Sequence, residues 1–222
     1  MIQINKNQEI NVEALKQEIL SRKTTTPRFS LPLTYHQACK ALLAAYMAEV
    51  EGRCNTFVLD VPTKQHITLA ARWLVDNNAK PSLFLCGHCG NGKTTLILAI
   101  RSLIHWMCSD ESLDEQRYLH IVNARLVTQL AKDKSMQYHK LFDTQLLAID
   151  DLSTEPVEVL EFGNVINPTI DLLMHRYEYR MPTILTSNMS PAEVEANYGN
   201  RLADRFREMM TTIPFDNPSY RK

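Results

Sequence analysis

No apolar run in this sequence is long enough to cross a bilayer. The most hydrophobic stretch, Leu96 to Met107, is interrupted by Arg101 and His105, whereas a spanning helix needs about 20 apolar residues in succession. The first ten residues are polar and lack the apolar core of a secretory signal, so a soluble cytoplasmic protein with no membrane partner is expected. Charge of one sign is missing as well. The 24 Lys and Arg stand against 25 Asp and Glu, a net charge of −1, so the chain as a whole exerts no pull on nucleic acid or anionic lipid. Any such contact must come from a local basic surface. Five cysteines, an odd number, do not read as a disulfide framework. There is no internal repeat.

What is present is an ordinary globular composition, 45% apolar and 22% charged. With roughly 100–200 residues per domain as a guide, 222 residues hold one domain and a small appendage. Helical spacing marks residues 12–22 through Val12, Leu15, Ile19 and Leu20, followed by a polar linker over 21–28 that contains Pro27. Two further helices are expected over 34–51 and 63–77. Core packing explains all three, and partner docking is the sharper reading for residues 1–30. We divide the chain into a helical N-terminal region, 1–60, and a main domain, 61–222.

From Pro81 the pattern changes to short apolar runs alternating with helical stretches. Strands are expected at 82–86, 118–122, 145–149, 183–186 and 212–215, with helices near 93–107, 124–140, 164–180 and 191–210. Continuous apolar runs suit strands covered on both faces, and the alternation predicts an α/β fold with a mostly parallel five-stranded sheet sandwiched by helices.

Gly87-His88-Cys89-Gly90-Asn91-Gly92-Lys93-Thr94 matches the phosphate-binding pattern G-x-x-x-x-G-K-S/T in full. An apolar strand enters it and a helix leaves it, as the P-loop requires. Gly87, Gly90 and Gly92 let the backbone turn its N–H groups inward as an anion nest, with Asn91 and Thr95 beside it. The helix starting near Lys93 aims its positive end at the same phosphates. Lys93 would reach the β and γ phosphates, and the Thr94 hydroxyl would bind Mg²⁺. Cys86 and Cys89 form a C-x-x-C around His88, but no second pair follows at zinc-finger spacing, so a structural metal is not expected.

The second motif is Leu146-Leu147-Ala148-Ile149-Asp150-Asp151. Its apolar run delivers two carboxylates to the carboxyl edge of the sheet, where α/β folds bind ligands. Asp150 is the candidate Mg²⁺ ligand and Asp151 the candidate base for the attacking water. One strand, 118–122, falls between the two motifs, the arrangement of additional-strand P-loop ATPases.

Two further segments resemble the AAA+ family. Thr183-Ile184-Leu185-Thr186-Ser187-Asn188 is similar to the sensor-1 strand, which would place Asn188 to polarise the attacking water. Gly199-Asn200-Arg201-Leu202-Ala203-Asp204-Arg205-Phe206 resembles the arginine box, G-x-R-x-x-S/D-R, of the DnaC-type helicase loaders and IstB-like ATPases. The spacing itself sets Arg201 and Arg205 on one helix face, beside an apolar stripe of Tyr198, Leu202, Phe206 and Met209. The resemblance spans about residues 81–222. It implies a P-loop NTPase with an AAA+ core, a slow Mg²⁺-dependent ATPase in which Arg205 acts in trans as a finger and Arg201 as a secondary nucleotide contact. It further implies a DNA-replication helicase loader with ATP between subunits of a homo-oligomer, single-stranded DNA as ligand, and a replicative helicase as partner. An IstB-like transposition helper with a transposase partner shares every motif. Asp151 stands where many AAA+ proteins carry Glu, so a non-hydrolysing ATP-binding adaptor is a third reading. The few residues after the last strand leave no room for a C-terminal lid domain with its sensor-2 arginine, a lack the DnaC-like and IstB-like proteins share. By the same resemblance, residues 123–142 would face single-stranded DNA, with Arg125, Lys132 and Lys134 on phosphates and Tyr138 on a base. The plain alternative is the charged outer face of an ordinary helix.

Overall fold

Five short apolar runs become five parallel strands, and the helices between them fall on both sides. A computed structural model describes residues 11–22, 28–108, 118–156, 159–161 and 164–221, with 159–161 and 164–166 described by backbone alone. In chain order the elements are α1 Val12–Ser21, α2 Tyr35–Glu51, α3 Val61–Val75, β1 Ser82–Gly87, α4 Lys93–Met107, β2 His120–Asn123, α5 Ala124–Lys132, α6 Met136–Asp143 and β3 Leu147–Leu152. There follow β4 Val159–Glu161, β5 Asn164–Ile166, α7 Pro168–Glu178, β6 Thr183–Ser187, α8 Pro191–Tyr198, α9 Asn200–Met209 and β7 Met210–Phe215. The main sheet has the order β2-β3-β6-β1-β7, every pair parallel. Among the described residues no helix is long and apolar enough to cross a membrane.

Alternation along the strands splits the core into two layers. Leu83, Leu85, Ala148, Ile184 and Ile213 face α2, α3 and α4, while Phe84, Leu147, Ile149 and Leu185 face α5, α7, α8 and α9. Helix α2, capped by a reciprocal Thr34–Gln37 box, buries Ala38, Leu42 and Tyr46 in the first layer. Arg28, the last residue of the expected linker, and the following Phe29 are also drawn in: Phe29 packs on Trp73, and Arg28 donates to the Ala79 carbonyl. Helix α1 forms over the expected residues, but none of its side chains is buried, and Leu15, Ile19 and Leu20 stay exposed. Residues 23–27 of the linker lie outside the described residues.

Several boundaries differ from the sequence reading. The helix expected over 124–140 is two helices, because Lys134 adopts a left-handed conformation (φ 50°) and Ser135 caps a new start. The helix over 191–210 breaks at Gly199, also left-handed (φ 85°). A short antiparallel hairpin, β4–β5, occupies part of the stretch before α7, which starts at Pro168 behind an Asn167 cap. β3 runs on through the two aspartates to Leu152. Local capping and positive-φ residues, invisible to apolar periodicity, decide each case.

Beneath the sheet edge, Arg176 of α7 is fully buried, and among the described residues no carboxylate pairs with it. It donates instead to Thr183 Oγ1 (2.8 Å) and to the carbonyls of Leu141 (3.1 Å), Thr144 (2.7 Å) and Pro182 (2.8 Å). One planar guanidinium thus ties α6, α7 and the start of β6 together. Replacing it with Met, of similar length, would strand three buried carbonyls. We expect Arg176→Met to destabilise the fold by about 3 kcal/mol, lowering the thermal midpoint by about 6–12 °C in a scanning-calorimetry comparison with wild type.

Candidate nucleotide site

The loop between β1 and α4 carries positive φ at Gly87 (136°), Gly90 (78°) and Gly92 (101°). A side chain is excluded at all three by more than backbone preference. A Cβ on Gly87 would collide with the Phe215 carbonyl of β7, one on Gly90 with the Ser219 hydroxyl, and one on Gly92 with the hydroxyl of the buried Tyr46. Gly92 occupies the cap position of α4 and offers no side-chain acceptor, so the first N–H groups of that helix are left for an anion.

Lys93 is nearly inaccessible, 5% exposed. Its ammonium donates to the carbonyls of Gly87 and His88 (both 2.7 Å), to Asn91 Oδ1 (3.2 Å) and to Asn188 Oδ1 (3.0 Å). Burial lowers its pKa, and the surrounding thiols and carboxylates work in the opposite direction. Thr94 donates to both oxygens of Asp150, at 3.1 and 3.2 Å. Thr95 is half-buried in the next position of the helix.

The strand order explains why these groups meet. β6 lies between β1 and β3, so Asn188, just past the end of β6, stands between the loop and the acidic tip. Thr186 was not singled out from the sequence, yet its buried hydroxyl donates to Asp150 Oδ1 (2.6 Å) and accepts from the Asp151 N–H (2.8 Å). A hydroxyl inside an apolar strand was the available signal, since a buried polar atom needs a partner. The Asp151 carboxyl is pushed above its usual range, first by burial and then by Asp150, against the pull of Lys93, Arg221 and Arg125. Among the described residues no ion pair joins Lys93 to either aspartate.

The segment after β7 also belongs to the site, and no local pattern announced it. The Tyr220 N–H donates to the Gly90 carbonyl (2.8 Å), Asn217 to the Asn91 carbonyl (3.3 Å), and Asn91 in turn to the Phe215 carbonyl (2.5 Å). The Tyr220 hydroxyl reaches Asp60 (2.8 Å) and Thr63 (2.9 Å) at the start of α3. The tail therefore crosses the outer side of the loop and anchors beyond it, carrying Arg221 to the loop's flank.

Other expected residues lie elsewhere. Arg205 is half-buried, with its guanidinium over the Tyr177 ring (5.2 Å) and a hydrogen bond to the Arg201 carbonyl (3.0 Å). Arg201 is exposed one turn earlier on α9. Among the described residues no hydrogen bond or ion pair joins either arginine to the loop or the aspartates. Arg125 donates to the Thr154 carbonyl (2.9 Å), in the turn that follows Asp151. Lys132 and Lys134 are exposed at the end of α5. Tyr138 is half-buried, edge-on to Phe142 (5.2 Å), and its hydroxyl donates to the Pro168 carbonyl (2.9 Å). The cysteines are free thiols, and Cys86 lies buried in β1 with its pKa pushed up to about 11. Among the described residues no three His, Cys, Asp or Glu side chains cluster as a metal site. Thr94 and Asp150, facing each other, nonetheless form a hard oxygen pair of the kind Mg²⁺ takes in phosphate sites.

A clash that only the tail creates can be tested directly. Gly90→Ala should lose about 2–3 kcal/mol, part from forcing an alanine left-handed and part from displacing Ser219. Adding Ser219→Gly should recover the steric part and leave the backbone part, read from denaturant midpoints of the two variants.

No protein-family model matches this chain, and no curated protein matches it. Solved structures do. A DnaC helicase loader is 18% identical, with a TM-score of 0.55, covering 78% of this chain and 99% of its own. A DnaI structure is also 18% identical, with a TM-score of 0.57, covering 87% and 96%. A replication initiator DnaA, bound to AMPPCP and single-stranded DNA, is 15% identical with a TM-score of 0.50, covering 73% of this chain and 49% of its own. With its parallel five-stranded sheet and its P-loop sequence, the chain has an α/β P-loop fold and resembles the DnaC-type helicase loaders.

Proposed function

We propose that this chain is an Mg²⁺-dependent ATPase of the helicase-loader type, binding ATP between neighbouring copies and acting on single-stranded DNA with a replicative helicase as partner. The observation that carries the reading is the meeting of Lys93, Thr94, Asp150 and Asn188 at one sheet edge, bonded in two pairs, Lys93 to Asn188 and Thr94 to Asp150, with cation and carboxylate kept apart. The similar DnaA structure with AMPPCP and single-stranded DNA supports the choice of ligands.

In this reading the inward N–H groups of residues 87–94 hold the β and γ phosphates. The Lys93 ammonium exchanges its carbonyl acceptors for phosphate oxygens. Mg²⁺, when bound at Thr94 and Asp150, supplies neutralisation of the charge on the β and γ oxygens. Asp151, with its raised pKa, takes the proton of the attacking water, while Asn188 orients that water. Water attacks the γ phosphorus, the bond to the β–γ bridging oxygen breaks, and ADP and phosphate leave. Arg205 makes its contacts along α9 and with α7, not at its own loop. It therefore serves the site of a neighbouring copy, with Arg201 beside it, and the isolated chain turns over slowly. Arg125, Lys132 and Lys134 form the basic edge offered to DNA. The unburied stripe of α1 is the element that docks on the partner.

Two variants separate binding from assembly. Lys93→Ala should abolish ATP binding in calorimetry, and unchanged affinity would refute the phosphate-site assignment. Arg205→Ala should bind ATP within a fewfold of wild type yet lose the steep rise of turnover with protein concentration, a loss of about a hundredfold or more. Wild-type turnover in that variant would refute the trans arginine. ATP bound without phosphate release at any concentration, with or without single-stranded DNA, would instead favour the non-hydrolysing adaptor. Recovery of a transposase in place of a helicase on the N-terminal region would favour the IstB-like helper.

A further inference from the structure

The two aspartates occupy a bulge. β3 and β6 run in register with Ile149 opposite Leu185, and pairing resumes with Leu152 opposite Ser187. Between those pairs β3 has two residues, Asp150 and Asp151, and β6 has one, Thr186. A bulge re-aims side chains and leaves a backbone group without its ladder partner. Here Asp151 is left-handed (φ 57°), a conformation an aspartate adopts only at an energetic penalty. Its N–H would be an orphan, but it donates to the Thr186 hydroxyl. The same hydroxyl donates its own proton to Asp150 Oδ1. One residue on, Ser187 Oγ donates to the Leu152 carbonyl (2.8 Å) and pins the far side of the bulge.

We propose that Thr186 is the positioning residue that gives the adjacent aspartates different roles, pinning Asp150 as the metal ligand and turning Asp151 out toward the reacting water. The proposal rests on the ATP-site reading above. A fully buried strand position facing a bulge needs a group that donates in one direction and accepts in the other. Only a hydroxyl does both at this size, and the β-branched form suits the strand. With Thr186 holding Oδ1, Asp150 is fixed in the rotamer that faces Thr94. With Thr186 accepting the Asp151 N–H, the two carboxylates cannot exchange places.

Thr186→Val keeps the shape and removes the hydroxyl, and Thr186→Ser keeps the hydroxyl. Three quantities separate the possibilities: ATP affinity in EDTA, Mn²⁺ affinity of the protein–ATP complex by electron paramagnetic resonance, and kcat against KM for ATP. We expect Thr186→Val to bind ATP in EDTA within about threefold of wild type, while Mn²⁺ affinity and kcat each fall by about tenfold to a hundredfold, the range typical of residues that orient a metal ligand. KM should change little, and Thr186→Ser should restore both losses. Wild-type Mn²⁺ affinity and kcat in Thr186→Val would overturn the proposal. So would a parallel loss of ATP binding in EDTA, which marks general damage. Should Thr186→Val fail to fold, Thr186→Cys is read instead: its weak thiol should give a loss in Mn²⁺ affinity that Ser does not, and equality with wild type would overturn the proposal. A wild-type chain that binds no ATP in EDTA or with Mn²⁺ would sink the ATP-site reading and this role with it, whereas ATP binding with an unaltered Thr186→Val would sink this role alone.

Discussion

A phosphate site has to hold a cation and carboxylates within one small volume without letting them neutralise each other. In the candidate site of this chain, neutral groups keep Lys93 apart from Asp150. Lys93 gives its protons to two backbone carbonyls and two amide oxygens, and Asp150 takes its protons from two threonine hydroxyls. Each charge is thereby stabilised against burial by hydrogen bonds that an incoming ligand can replace. A direct lysine–aspartate pair would have to be broken first, with both charges left partly desolvated.

That arrangement depends on strand order. Because β6 is inserted between β1 and β3, an amide and a hydroxyl from β6 fall between the lysine loop and the acids. On the other side, β7 and the tail press against the loop so closely that Gly87 and Gly90 have no room for a side chain. The loop is clasped from two directions, by strand ends within the sheet and by Asn217 and Tyr220 outside it. This bracing ties the loop to α3 through Tyr220 and Asp60.

The arginine box belongs to a different part of the molecule. Helix α9 is amphipathic, with Leu202, Phe206 and Met209 in the second core layer and Arg201 and Arg205 off that face. Among the described residues its arginines bond to neither the loop nor the acids, so the lysine and the arginines lie on separate parts of the fold.

Much of the site was legible in the sequence because its chemistry is local. Glycines that must turn left-handed, a lysine at a helix start and an apolar run ending in acids each constrain a few neighbouring residues, and the loop and α4 formed where those constraints put them, while β3 starts two residues late and runs on through the acids. Capping residues and single positive-φ positions set the helix breaks at Lys134 and Gly199 that periodicity passed over, and Tyr138 turned inward because a partner carbonyl 30 residues away was within reach. Thr186, Asn217 and Tyr220 carry no signature of their own. Their roles come from hydrogen bonds spanning 35 to 160 residues of chain, and only the folded order of strands brings those atoms within bonding distance.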